Sequence, residues 1–413
     1  MSQSYPNGNH HHKAKMITRL CKFFFYLSCL LLSGLSTGCS THPEPIASDR
    51  LLTNADEQFL WQKAEEEQRV LESSDLIYPD EKLEAYLNDI VAKLQSQTAQ
   101  SDLEIRVKVI KNAYLNAFAY PNGMIYIHTG LLARMDNEAQ LAAVLAHEIT
   151  HCTHRHALRV FRHFKDRRSF LTGVQQALMA NKGLQKLAQN IGLTGSLAAV
   201  SGYARELEAE ADRVGTELMT RAGYNPKDAL SLFDHMISEI EQAGSEEPFF
   251  FGNRARVRER IDNLQSLPAD RYPRPRPIII NSELFLAKLD QIFLDNARLD
   301  IRLGRFQAAR RSVEKFLRIK PDNTRAHFLL GESYRQQGQD SDIPKALKSY
   351  NRAITLDPNF AAPHKALGLI HYKKGQRALA KKFFESCLQL SPNTPDKAYI
   401  KGYLRQFTLS EEG

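Results

Sequence analysis

Cysteine is scarce in this chain. There are five in 413 residues, and Cys21, Cys29 and Cys39 all fall within the first forty. Only Cys152 and Cys387 remain, far apart, so a disulfide framework is excluded and no structural disulfide is expected. Acid is missing from one place. No Asp or Glu precedes residue 39, whereas Lys13, Lys15, Arg19 and Lys22 do. Those four supply half of the formal net charge of +8. The excess left for the body is mild; no nucleic-acid partner is expected, and an anionic membrane leaflet is weakly favoured. A long hydrophobic run is missing too. The stretch FFFYLSCLLLSGLS at 23–36 is shorter than the ~20 residues a permanent spanning helix needs.

That short apolar run has a use. It follows a basic segment and leads into small residues before Cys39, the layout of an export leader. STGCS resembles a bacterial lipoprotein signal, in which cleavage precedes the cysteine and the cysteine takes the lipid. Residues 1–38 are then a signal peptide and Cys39 the lipidation site. STHPEPIASDR reads as a tether over 39–50. The expected location is periplasmic, held to the (outer) membrane by a lipid anchor.

With 43% hydrophobic residues the body can build real cores. DEQFLWQKAEEEQRVL and DEKLEAYLNDIVAKLQSQ have the spacing of amphipathic helices. LEIRVKVIKN alternates as a strand does. AYLNAFAYPNGMIYIHTG reads as a hairpin turning at Pro121-Asn122-Gly123. A helix follows, capped by Asp136 or Asn137 with Gln140 placed for a capping box. Residues 166–200, rich in Leu, Ala and Gln, are a candidate lid or interface. A second charged helix, ARELEAEADRVGTELMTRAGYN, stops at Gly223. RYPRPRPIII marks a linker.

After the linker the chain repeats. Pro321, Pro358 and Pro392 close similar phrases, spaced by 37 and 34 residues. Tetratricopeptide repeats have a period of about 34. Leu330, Gly331 and Tyr334 match Leu367, Gly368 and His371; Ala346, Tyr350 and Ala353 match Ala380, Phe384 and Cys387. The first interval is stretched by QDSDI. The expected fold class is α+β, mostly α: a domain with a small β-sheet over 51–268, a linker over 269–284 and an α-helical repeat array over 285–408.

The chemistry lies in LAAVLAHEITHCTHRH. His147, Glu148 and His151 form H-E-x-x-H. On a helix the two histidines share a face, about 6 Å apart along the axis, so both can hold one Zn²⁺. Glu148 is turned about 100° from His147 and can act as general base without ligating. A catalytic zinc needs a third protein ligand. Glu208 and Asp212 share one face of the second helix, Glu206 and Glu210 another; spacing does not choose between them. One Zn²⁺ per chain is expected.

NEAQLAAVLAHEITHCTHRH followed by ARELEAEADRVG resembles the gluzincin-type zinc metallopeptidases that include the CaaX prenyl protease and bacterial heat-shock membrane proteases. NAFAYPNGMIYIHTGLL resembles the strand pair ahead of the metal helix in that family. The resemblance covers about 55–265. It implies a zincin-like fold, Glu208 as third ligand and Asp212 closing E-x-x-A-D. It also puts His156 of the Arg-His pair beside the ligands and Arg260 near the transition state. One position departs. FFGNRARVRERI carries Arg254 and Ala255 where the family often has His-Pro, which makes Arg254 a latch or oxyanion position. With the leader and the repeats, the chain is similar to envelope quality-control proteases. The implied substrates are unfolded or misassembled envelope proteins, and the implied partner is the outer-membrane assembly machinery, met through the repeats. The competing reading is a repeat scaffold or chaperone with a non-catalytic zinc site; Glu148 favours the enzyme. His154 and His163 are expected to be solvated, and Cys152 to be packed.

Overall fold

The structure, a computed structural model, describes residues 50–98, 103–164, 168, 169, 172, 205–243, 254–266 and 278–409. Cys39, the leader, nearly all of the tether and most of 166–200 lie outside them. Residues 54–413 form one compact unit. Among the described residues no helix is long and apolar enough to cross a membrane.

Two helices come first, α1 (Arg50–Glu72) and α2 (Glu81–Gln95). The Asp80 side chain caps α2 by accepting from the Leu83 N–H at 3.0 Å. Leu83, Leu87, Ile90, Val91 and Leu94 recur at helical spacing and form its buried face. The sheet holds β1 (Arg106–Ile110), β2 (Ala117–Ala119) and β3 (Met124–His128), in the order β1-β3-β2. β1 runs parallel to β3, with Val107 opposite Ile125 and Val109 opposite Ile127. β2 returns antiparallel, with Phe118 opposite Tyr126. The expected turn joins β2 to β3, the Gly123 N–H donating to the Tyr120 carbonyl at 3.0 Å.

Short α3 (Thr129–Arg134) leads into α4 (Glu138–Thr153), the H-E-x-x-H helix. Its cap is Asn137, which accepts from the Gln140 N–H at 2.9 Å; the Gln140 side chain accepts from the Asp136 N–H at 2.8 Å. Glu138 places a buried carboxylate at the positive end of the helix. It accepts hydrogen bonds from the Tyr86, Tyr224 and Asn281 side chains at 2.8, 2.8 and 3.0 Å. The Ile280 carbonyl takes the next two orphan donors, the N–H groups of Glu138 and Ala139. The foot of α4 is thus bound to three other parts of the fold.

A turn at Arg155 starts α5 (His156–Arg162). α6 (Arg205–Arg221) lies against α4, with α7 (Lys227–Ala243) and α8 (Arg254–Gln265) beside them. The approach of α6 to α4 depends on Gly215. A Cβ at this position would fall 3.0 Å from the His147 backbone nitrogen.

Of the proline-rich segment over 269–284, residues 278–284 are described. Ile279 bridges to Tyr224, and α9 (Ser282–Lys288) begins within the segment. Then come α10 (Asp290–Arg302), α11 (Phe306–Ile319), α12 (Thr324–Gln337), α13 (Ile343–Leu356), α14 (Ala361–Lys373), α15 (Arg377–Leu390) and α16 (Lys397–Leu409). α10 pairs with α11, α12 with α13 and α14 with α15. Part of QDSDI forms a 3₁₀ turn at Asp340–Asp342. Gly331 faces the Tyr350 ring and Gly368 the Phe384 ring, where a Cβ would fall within 2.5 and 2.6 Å. The matched small and aromatic positions are therefore one contact repeated.

The first pair is not separate from what precedes it. Phe293, Leu294, Ala297, Ile301, Val313 and Phe316 share a core with Leu131, Leu132 and Met135. Arg134 and Asp300, both buried, form a two-pronged ion pair at 2.9 and 3.1 Å. The Lys315 ammonium donates to the carbonyls of Ala133, Arg134 and Met135 at 3.2, 3.0 and 2.8 Å.

Candidate metal centre

His147 and His151 stand one turn apart on α4 and bring their Nε2 atoms within 2.8 Å of each other. Glu208, in the first turn of α6, places Oε2 3.6 Å from His147 Nε2 and Oε1 3.7 Å from His151 Nε2. Donors held about 2.1 Å from one zinc at tetrahedral angles stand about 3.4 Å apart. Two imidazoles and a carboxylate at these separations fit that ion with only small adjustments. Burial first, then the His147 and His156 rings, push His151 well below the usual histidine range. The neutral ring is the form that ligates.

The structure distinguishes the acids that spacing left open. Glu208 faces the two histidines. Asp212, one turn on, lies 3.0 Å from His147 Nδ1. Glu206 is exposed, and Glu210 turns toward α5. Arg260, from α8, grips Asp212 with Nε at 2.7 Å and Nη2 at 2.5 Å. Its Nη1 lies 3.6 Å from Glu208 Oε2, and its guanidinium lies 4.9 Å from the Phe233 ring centre. Burial alone would raise the Asp212 carboxyl; Arg260 and the bond to His147 outweigh it and hold it at about 2. Arg260 is thus engaged with Asp212 and Glu208 of α6.

On the far side of the ligands, His151 Nδ1 lies 2.7 Å from His156 Nδ1. His156 is fully buried, and burial lowers its ring to about 3. Glu210 faces it and is held by His154 Nδ1 at 2.6 Å and Arg159 Nη1 at 2.7 Å. His154 is therefore fastened rather than simply solvated. Sequence reasoning offered Glu210 only as one of four candidate third ligands, not as a partner of His154, His156 and Arg159. The arginine and histidine that hold it lie more than fifty residues away, out of reach of any local pattern.

Glu148 is only 3% exposed. No side chain among the described residues hydrogen-bonds its carboxyl. Burial and the neighbouring Glu208 charge raise it well above the usual range, against a smaller opposing pull from Arg260. Such a shift suits a proton carrier working near neutrality. Cys152 packs with Sγ 3.5 Å from the Tyr120 carbonyl, and burial pushes its thiol up. Arg254 opens α8; its side chain lies outside the described residues.

The sequence pattern of Peptidase family M48 matches residues 81–279, and tetratricopeptide-repeat patterns match 339–375 and 366–394. The beta-barrel assembly-enhancing protease of Escherichia coli (strain K12) is 29% identical over 238 residues, 55% of this chain and 47% of that protein. The putative beta-barrel assembly-enhancing protease of Vibrio cholerae is 28% identical over 185 residues, 44% of this chain and 38% of that protein. The mitochondrial metalloendopeptidase OMA1 of Schizosaccharomyces pombe is 26% identical over 231 residues, 54% of this chain and 66% of that protein. The chain spans about half the length of the bacterial curated relatives it matches.

Proposed function

Residues 81–279 being a domain of peptidase family M48, we propose that the chain is a zinc-dependent endopeptidase of the bacterial cell envelope. It acts on unfolded or misassembled envelope proteins, its repeats bind client or assembly partner, and Cys39 carries the lipid that holds it to the outer membrane. His147, His151 and Glu208 hold one Zn²⁺. The ion would supply Lewis-acid polarisation of the scissile carbonyl and make a water molecule acidic enough to attack. Glu148 takes the proton of that water and passes it to the leaving amine. Asp212 keeps the proton of His147 on Nδ1 and its lone pair on Nε2. Arg260 fixes Asp212 and restrains Glu208.

An extended substrate aligns along β2, one of the two edge strands of the sheet. Asn116 and Tyr120 bond toward β3, so the alternation of the ladder turns the N–H and C=O groups of Ala117 and Ala119 outward. Both residues are buried, and binding requires that edge to be uncovered.

The carrying observation is a buried, raised Glu148 carboxyl with no side-chain hydrogen bond among the described residues, one position from His147. A purely structural metal site has no use for it, which disfavours the scaffold reading. The test is cleavage of casein by the full chain. Glu148→Gln should retain zinc and lose turnover by at least about 100-fold. Turnover that survives the substitution removes Glu148 from the mechanism.

A further inference from the structure

We propose that Glu210 is a positioning residue for the metal centre: through His156 it decides which nitrogen of His151 is left bare to ligate. The inference rests on the zinc reading above. For His151 to ligate through Nε2, its proton must sit on Nδ1. That atom lies 2.7 Å from His156 Nδ1. Two N–H groups cannot face each other at this distance, so His156 Nδ1 must be the bare acceptor. A neutral His156 then carries its proton on Nε2, which lies 3.5 Å from Glu210 Oε2. The carboxylate favours that tautomer. The opposite tautomer of His156 would strip Nδ1 of His151 and put a proton on Nε2, where the metal belongs.

Glu210 is itself held by His154 and Arg159, at 2.6 and 2.7 Å. The backbone supports the same arrangement. Arg155 has φ 50° and ψ 42°, a left-handed conformation that side chains other than glycine rarely adopt. It folds residue 156 back onto residue 151, and Arg155 Nε is pinned 2.9 Å from Glu57 Oε1. Each ligand histidine is therefore backed by a carboxylate that an arginine holds. His147 reaches Asp212 directly; His151 reaches Glu210 through a second imidazole.

A rival use of the same groups is a second metal site. Ligand atoms of His154, His156 and Glu210 also lie within 4.8 Å of one another. A metal on His156 Nε2 would leave that ring without a proton of its own while His151 ligates, and Arg159 already neutralises Glu210. The relay is favoured.

The test uses the full chain, labelled with ¹⁵N at histidine and loaded with one equivalent of zinc. His156 should show a bare Nδ1 and a protonated Nε2. Glu210→Gln should weaken zinc binding by about 10–100-fold in chelator competition, and Glu210→Asp should recover part of it. A proton on Nδ1 of His156, or an unchanged zinc affinity in a folded Glu210→Gln protein, overturns the relay. So does loss of a second zinc equivalent on that substitution. The spectrum of the unsubstituted chain decides the matter even if the variant does not fold. Zinc that binds regardless of His151→Ala would overturn the metal centre and the relay with it; zinc that needs His151 but ignores Glu210 would overturn the relay alone.

Discussion

Asp212 accepts from Arg260 on both oxygens and shares Oδ1 with His147, and both partners are buried with it. Replacing it with asparagine would leave Arg260 buried without its main counter-charge. Breaking such a pair costs about 3–5 kcal/mol. Asp212→Asn should therefore lower stability by that order in denaturant unfolding of the metal-free chain. It should also weaken zinc binding about 10–100-fold. At this scale the sequence was partly legible. His147, Glu148 and His151 could be placed because a four-residue spacing on a helix fixes their geometry. Glu208 could not be chosen over Glu206, Glu210 or Asp212 by spacing; the family resemblance pointed to it. The part played by Glu210 was hidden, because it depends on a left-handed residue at Arg155 that no propensity signals.

At the level of elements, the candidate centre comes together because α6 approaches α4 closely, and Gly215 permits it. Gly215→Leu should force the helices apart and lower zinc affinity by about 10-fold or more, measured by chelator competition. The repeats use the same device. Gly331→Ala pushes a methyl group into the Tyr350 ring and should cost about 1–3 kcal/mol in urea unfolding. Beside that contact, Glu332 accepts from Tyr350 Oη at 2.6 Å and from Arg335. Burial would raise its carboxyl, but the bonds from Arg335 and Tyr350 lower it overall. A lowered folded pKa contributes stability that is complete above the unfolded value near 4.3. That contribution is lost as pH falls through the folded value. Glu332→Gln should flatten the loss of stability below about pH 4.5, read from Tm against pH. The repeat period was plain in the proline spacing, and each paired glycine and aromatic could be matched before its contact was seen.

For the whole molecule, the half that carries the candidate metal centre and the first repeat pair share one core, joined by Arg134–Asp300 and by Lys315 on three carbonyls. The proline-rich stretch reads as a spacer because proline breaks regular structure. Sequence pattern says nothing of where Ile279 and Ile280 dock, on Gly223 and at the foot of α4. A protein bound by the repeats, as proposed, would accordingly be held at a defined place relative to the candidate metal centre.

The most direct test of the central claim is the zinc content of the purified full chain beside that of Glu208→Ala. The account predicts one equivalent per chain, with a large loss of affinity when the carboxylate is removed. Equal zinc in the two proteins, bound equally tightly, would contradict it.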